Sequence, residues 1–302
     1  MKYLFIIGIV FLSIAGCNSK EKKSTTGELL LSKPVPEDTP APFLPELVDH
    51  NAMVHKGIFS NDLSEYYYTT SKKDFTQFNT YMVKKSNGRW SSPLPAFFNS
   101  TYNDHGMSFS PDGNTLYFSS TRPTDIDSIP NTWHLWKAKK VNDQWGESSY
   151  ISIPNLNDKL VSHPSITKDG TLYFHVSNLD YSDMAIYSSQ YIDGKFQKAT
   201  KLNFGLTNKA GFCTPYVSPD HDYLVFAKVG TSLTLYISYR TEGLWSPPIE
   251  LPKAINTGGQ GNPYITPNGE FLFYTQRDTT NTWHINWVAT RSFINTKKTS
   301  HE

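Results

Sequence analysis

The chain has 302 residues, 38% hydrophobic and 18% charged, enough to bury a core in one large domain or two small ones. With 28 basic against 27 acidic residues and a formal net charge of +1, it lacks the basic field that a nucleic-acid partner needs, and no basic run interleaves with aromatics. Aromatic residues reach 14%, a composition that suits pleated, half-buried surfaces and favours β structure.

The first elements in chain order concern targeting. Lys2 supplies a small positive region, "YLFIIGIVFLSI" a short apolar run, and "AGC" a small-residue cleavage site. The apolar run is too short for a comfortable transmembrane helix. The order Leu12-x-x-Ala15-Gly16-Cys17 resembles the lipobox of bacterial lipoproteins. That resemblance implies a signal peptide over residues 1–16 and acylation of Cys17 as the mature N-terminus. It also implies a partner in the membrane itself, reached through the lipid, with the protein in the cell envelope. Asn18 after the lipidated cysteine is compatible with delivery to an outer membrane. A single acyl chain binds only marginally, so two or three are needed for a firm anchor. Cys213 is then the one remaining thiol, and no intrachain disulfide can form. Residues 17–42 are rich in Lys, Glu, Ser, Thr and Pro and read as a flexible tether.

Beyond the tether the chain repeats one hairpin five times. "IFSNDLSEYYYTT" stands at 58–70, "SFSPDGNTLYFSS" at 108–120, "SITKDGTLYFHV" at 165–176, "YVSPDHDYLVFAK" at 216–228 and "YITPNGEFLFYTQ" at 264–276. Aligned on Ser60, Ser110, Thr167, Ser218 and Thr266, the intervals are 50, 57, 51 and 48 residues. Such periods mark propeller blades, each a four-stranded sheet that cannot bury both faces alone. In each unit a strand enters the hydroxyl residue, a turn of the Pro-Asp-Gly kind follows, and a second strand leaves it. A variable loop then leads to a third strand. Trp90, Trp145, Phe196 and Trp245 each open an expected fourth strand and are expected to wedge between blades. The fifth unit has no fourth strand of its own, whereas "PFLPELVDHNAMVHKG" before the first unit looks like one. The expectation is a five-bladed, all-β propeller over 43–292, its last four-stranded antiparallel blade completed by an N-terminal strand around 43–48. Residues 293–302 read as a solvated tail.

The hairpin "SFSPDGNTLYFSSTR" resembles the TolB-type β-propeller repeats, whose signature is a Ser-Pro-Asp-Gly-x-x-Leu-Tyr-Phe hairpin per blade. "IFSNDLSEYYY" lacks both Pro and Gly and rests on position alone. Six blades are usual for TolB itself; five can be counted here. Together with the lipobox, the lone propeller resembles secreted lipoproteins of the Bacteroidota.

The repeat alignment also sorts side chains by face. Just before the first strand of each unit stand His55, His105 and His163, then Cys213-Thr214 and Gly261-Asn262, all at the mouth of the central channel. Neutral imidazoles suit a metal, and the resemblance to oligogalacturonate lyases, propeller enzymes with a channel-mouth metal, points the same way. No local spacing such as His-x-x-x-His is present, His163 is one position off, and bonding to loop backbone is favoured, so no metal or other cofactor is assigned. Loops between the second and third strands carry Lys72, Lys73, Arg122, Lys228 and Arg277. These could hold an anion, but Asp125, Asp127, Asp180, Asp183 and Asp278 share the loops and favour pairing or solvation. No Gly-x-Ser-x-Gly, phosphate loop or His-Glu-x-x-His occurs. The expected function is a monomeric, membrane-anchored binding or scaffold module for a protein or glycan, with no catalytic residue assigned. One alternative is an enzyme acting on acidic oligosaccharides through the mouth histidines and arginines. Another is a structural subunit of an envelope complex.

Overall fold

A computed structural model describes residues 35–43, 52–206, 211–280 and 282–294. Cys17, the expected signal peptide and most of the expected tether lie outside these residues. The fold is all-β, a five-bladed propeller. The first three strands of the successive blades are Met53–Phe59, Glu65–Ser71 and Asn79–Ser86; Asp104–Phe109, Thr115–Ser120 and His134–Val141; Leu160–Ile166, Leu172–Ser177 and Ala185–Ser189; Gly211–Val217, Tyr223–Val229 and Thr234–Thr241; and Gln260–Ile265, Phe271–Arg277 and Trp283–Ala289. Each blade is an antiparallel meander running outward from its first strand.

Burial follows from this layering. The innermost strand Met53–Phe59 and the second strand Leu172–Ser177 are buried along their whole length, because neighbouring blades cover both faces. The third strand His134–Val141 is buried at its start and exposed towards its end. Each innermost strand contacts the innermost strands of both neighbours, the first touching the fifth, so the ring is closed.

Closure is made by the N-terminal strand Ala41–Pro42, which pairs antiparallel with Trp287 and Asn286 of the last blade. The Phe43 amide then donates to the Ile285 carbonyl at 2.8 Å. The expected closing strand is therefore present, but pairing comes just ahead of the 43–48 stretch; residues 44–51 lie outside the described ones. An outer-edge place explains why Pro42 is tolerated, since it needs no amide there. Phe43 is 3% exposed and packs against Phe59 and Tyr66 of the first blade and Phe273 and Trp287 of the fifth, at centroid distances of 4.8 to 5.8 Å. The Tyr264 hydroxyl donates to the Phe59 carbonyl at 3.4 Å across the same seam.

The fourth strands differ in one respect from expectation. Trp90, Trp145 and Trp245 lie on short extensions of the third strand, while the paired outer edge follows at Leu94–Pro95, Ser149–Tyr150 and Ile249–Glu250. In the third blade Phe196 closes a small separate hairpin and Thr200–Lys201 forms the edge. A tight two-residue turn folds each aromatic back on its own strand before the edge begins. The wedge role is visible nonetheless: Trp145 stacks on Phe97 at 4.5 Å, and Trp245 meets Tyr173 of the preceding blade at 5.9 Å.

The repeated hydroxyl caps its turn. The Ser110 side chain donates to Asp112 and accepts from the Thr115 amide at 2.9 Å; Ser60 and Thr266 repeat both bonds. Removing two bonds from a side chain only 9% exposed is expected to cost about 1–2 kcal/mol in Ser110→Ala, with Ser110→Thr close to neutral, as read from chemical denaturation. Phe43→Ala is expected to cost about 3–5 kcal/mol in the same assay, because it empties a site shared by the first and last blades. A Phe43→Ala protein that melts like the parent would exclude this closure.

Candidate functional site at the channel mouth

Every innermost strand carries the same irregularity. Pairing with the second strand slips by one residue between Val54 and Gly57, His105 and Ser108, Ser162 and Ser165, Cys213 and Tyr216, and Gly261 and Tyr264. A bulge of this kind re-aims a side chain and strengthens local twist. Within the slip, four residues before the turn hydroxyl of each blade, stand Lys56, Gly106, His163, Thr214 and Asn262. Four of them have positive φ: 65° at Gly106, 54° at His163, 48° at Thr214 and 52° at Asn262. A β-branched residue such as Thr214 adopts that conformation only under constraint from its surroundings. Part of the constraint is visible, because Thr214 Oγ1 accepts from the Asn262 amide at 3.3 Å and Ser119 Oγ accepts from the His163 amide at 2.8 Å.

The structure brings His55, His105 and His163 together and adds His175. The His105 and His163 rings lie 4.6 Å apart and those of His163 and His175 6.3 Å apart. Ser162 Oγ bridges Nδ1 of His163 at 2.9 Å and Nδ1 of His175 at 3.2 Å. His55 Nε2 lies 2.8 Å from Ser71 Oγ. Aromatic rings from the adjoining loops cover the group. Phe78 is 4.7 Å from His55 and 5.0 Å from His105, Trp133 is 4.2 Å from His105, and Phe75 lies between His55 and Trp283. His163 is one position removed from the other two histidines: it stands four residues before its turn hydroxyl, whereas His55 and His105 stand five before theirs.

His175 and Lys56 escape a reading based on isolated histidines, yet the repeats carry a signal for both. His175 replaces Thr69, Ser119, Ala227 and Thr275 of the other blades. Lys56 aligns with Gly106, His163, Thr214 and Asn262.

The rim residues do other work. Arg122 forms an ion pair with the buried Asp104 at 3.1 Å, donates to the Phe98 carbonyl, and lies over the Phe118 and Trp136 rings. Lys228 sits 5.4 Å over the Tyr236 ring. Arg277 is exposed beside Gly259. Asn262 belongs to the channel, its Nδ2 directed at Thr275 Oγ1. Among the described residues no group of three His, Cys, Asp or Glu side chains is placed to hold a metal ion.

Burial dominates the electrostatics. It lowers His55 and His175 from 6.5 to about 4. It pushes His105 and His163 well below the usual imidazole range, helped by repulsion from one another, from His55 and His175 and from Lys56. Lys56 itself, 2% exposed, falls from 10.5 to about 7 through burial. No carboxylate is among the groups acting on these side chains. At neutral pH the mouth therefore holds four uncharged imidazoles around an amine that burial makes far more acidic than an ordinary lysine.

No protein-family model matches the chain, and no curated protein matches it in sequence. Among solved structures it is similar to a protein of unknown function from Dyadobacter fermentans, with 11% identity and a TM-score of 0.52 over 84% of this chain and 83% of that one. It is similar to a glycoside hydrolase, with 9% identity and a TM-score of 0.51 over 85% of this chain and 92% of that one. It is also similar to TolB from Acinetobacter baumannii, with 14% identity and a TM-score of 0.48; that match covers 80% of this chain but only 58% of TolB. At these identities the similarity is one of propeller fold.

The burial of these groups predicts how stability depends on pH. Between pH 6.5 and about 4 the unfolded chain binds protons at His55 and His175 that the folded chain refuses, so stability falls on acidification through that window. At about 1.4 kcal/mol per pKa unit, each imidazole contributes roughly 3 kcal/mol to the loss. Lys56 acts in a second window: from about pH 7 to 10.5 the unfolded chain alone holds the proton, so stability rises with pH. Lys56→Met is therefore expected to melt higher than the parent below pH 7, with the difference vanishing towards pH 10.5. Thermal melts across both windows check the two signs.

Proposed function

We propose that the protein is a lipid-anchored component of the cell envelope, and that its propeller presents the channel mouth as a binding surface for a protein or glycan ligand. The observation that carries this reading is convergence. Phe75 and Phe78 of the first blade, Trp133 of the second and Trp283 of the fifth stand over buried histidines of the first three blades. Rings of this kind offer flat apolar area at low entropic cost, and the half-exposed Phe75 leaves part of it open to a partner. A concave site with a few polar groups under aromatic walls is the usual form of a ligand pocket. The lipobox at 12–17 supports the anchor, and the tether that follows supports a domain held away from a membrane surface.

Two measurements test the proposal. Cys17→Ala is expected to move the protein from the membrane fraction to the soluble fraction, and retention on membranes would remove the anchor. Trp133→Ala and Phe78→Ala are expected to lower capture of defined envelope polysaccharides or purified envelope proteins at least tenfold, while melting as cooperatively as the parent. Capture unchanged in both variants would exclude the mouth as the binding surface, and new reducing ends released from acidic oligosaccharides would establish the enzymatic alternative instead.

A further inference from the structure

Lys56 is the one cation among the described residues inside the slips of the innermost strands, and its setting calls for a ligand. It is 2% exposed, and among the described residues it has neither a hydrogen-bond partner nor a carboxylate within ion-pair distance. Buried amines are ordinarily paired, since desolvation without compensation is costly. The neighbours acting on the same cluster are His55, His105, His163 and His175, which burial keeps uncharged and which supply no counter-charge.

A second unmet group stands at the same level. Thr275 Oγ1 donates to the Gly261 carbonyl at 3.0 Å and so accepts from Asn262, which fixes the Asn262 amide with its nitrogen towards Thr275. Its oxygen, Oδ1, is buried and has no hydrogen-bond partner. Counted back from the turn hydroxyls Ser60 and Thr266, Lys56 and Asn262 hold the same place on the first and fifth innermost strands, which touch where the ring closes. His175 Nε2, on the third blade, is a further buried polar atom without a partner. A buried cation without an anion among the described residues, and a buried acceptor without a donor on the adjoining innermost strand, are complementary to a molecule carrying both missing groups.

We propose that the channel at this level binds a small hydroxycarboxylate, its carboxylate against the Lys56 ammonium and its hydroxyl donating to Asn262 Oδ1. This rests on the reading of the mouth as a ligand site and specifies the chemistry of its deepest part. The ligand's carboxylate stays ionised over the working range, so binding draws a proton onto Lys56. Among the described residues the titratable groups facing it are the four imidazoles, all of which lie lower.

The test is calorimetric titration of the full-length protein with three probes of similar size: lactate, propionate and propane-1,2-diol. Lactate is expected to bind with proton uptake, propionate at least several-fold more weakly and the diol more weakly still. Lactate affinity should fall at least about tenfold between about pH 6.5 and 8.5, as the amine loses its proton. Lys56→Met should abolish lactate binding, and Asn262→Ala should bring lactate down to the level of propionate, with thermal melts confirming that both variants fold. Equal binding of lactate and the diol, equal binding of lactate and propionate, lactate binding retained in Lys56→Met, or no lactate binding at millimolar concentration would each overturn the proposal. If Trp133→Ala loses envelope-ligand capture while Lys56→Met keeps it, the mouth remains a binding surface and only the hydroxycarboxylate assignment fails.

Discussion

Phe43 stands where the two ends of the domain meet, and its packing decides whether five sheets become a ring. A single blade has two apolar faces and can cover neither, so each must lie between neighbours. Four of the five junctions join blades that follow one another in the chain. The fifth joins residues more than two hundred positions apart, as the Tyr264 to Phe59 bond shows, and carries the largest loop-closure entropy. The short strand Ala41–Pro42 contributes few hydrogen bonds of its own. The closing force is therefore the aromatic cluster around Phe43, in which rings of the first and last blades meet edge to face. Everything placed on the axis, Lys56 and Asn262 included, depends on that seam.

The same repetition that makes the scaffold also makes the site. All five innermost strands slip register just before the turn, the first strand one residue earlier than the other four. A repeated element of this kind is part of the architecture, since it appears whatever residue occupies it. Individuality enters through the side chains. Glycine at 106 takes its positive φ freely, whereas threonine at 214 holds a conformation that costs of order 1–3 kcal/mol in sparsely populated regions. Lysine at 56 and histidine at 163 place titratable groups in a desolvated setting that disfavours their charged forms. The stability given up at this level is recovered in the layers of buried Phe, Tyr, Leu and Ile around it.

Charge at the rim and charge at the axis have different fates. Arg122 illustrates the first: its guanidinium is taken up by Asp104, a backbone carbonyl and two aromatic faces, which makes it part of the second blade's packing. Lys56 illustrates the second, because no carboxylate among the described residues answers its charge. A lysine shifts its pKa readily on burial, where an arginine would stay charged. The choice of lysine at the axis thus makes the charge conditional on pH and on what lies beside it.

By itself the sequence determined the number of blades, the order of strands, the recurrence of a hydroxyl residue before each turn, and the need for an N-terminal strand to finish the last blade. These follow from local rules, namely turn chemistry, strand-forming runs and a steady period, and local rules are written in contiguous residues. His55, His105 and His163 could be assigned to one mouth for the same reason. The tertiary structure alone decided that pairing falls at Ala41–Pro42, that Arg122 is occupied by Asp104, and that His175 and Lys56 join the three expected histidines. Each of these depends on which atoms meet between segments separated in the chain, from eighteen residues for Arg122 and Asp104 to more than two hundred for Pro42 and Asn286, and on how deeply the meeting is buried. Hydrogen-bond partners and desolvation are properties of that meeting, and no single stretch of the chain contains them.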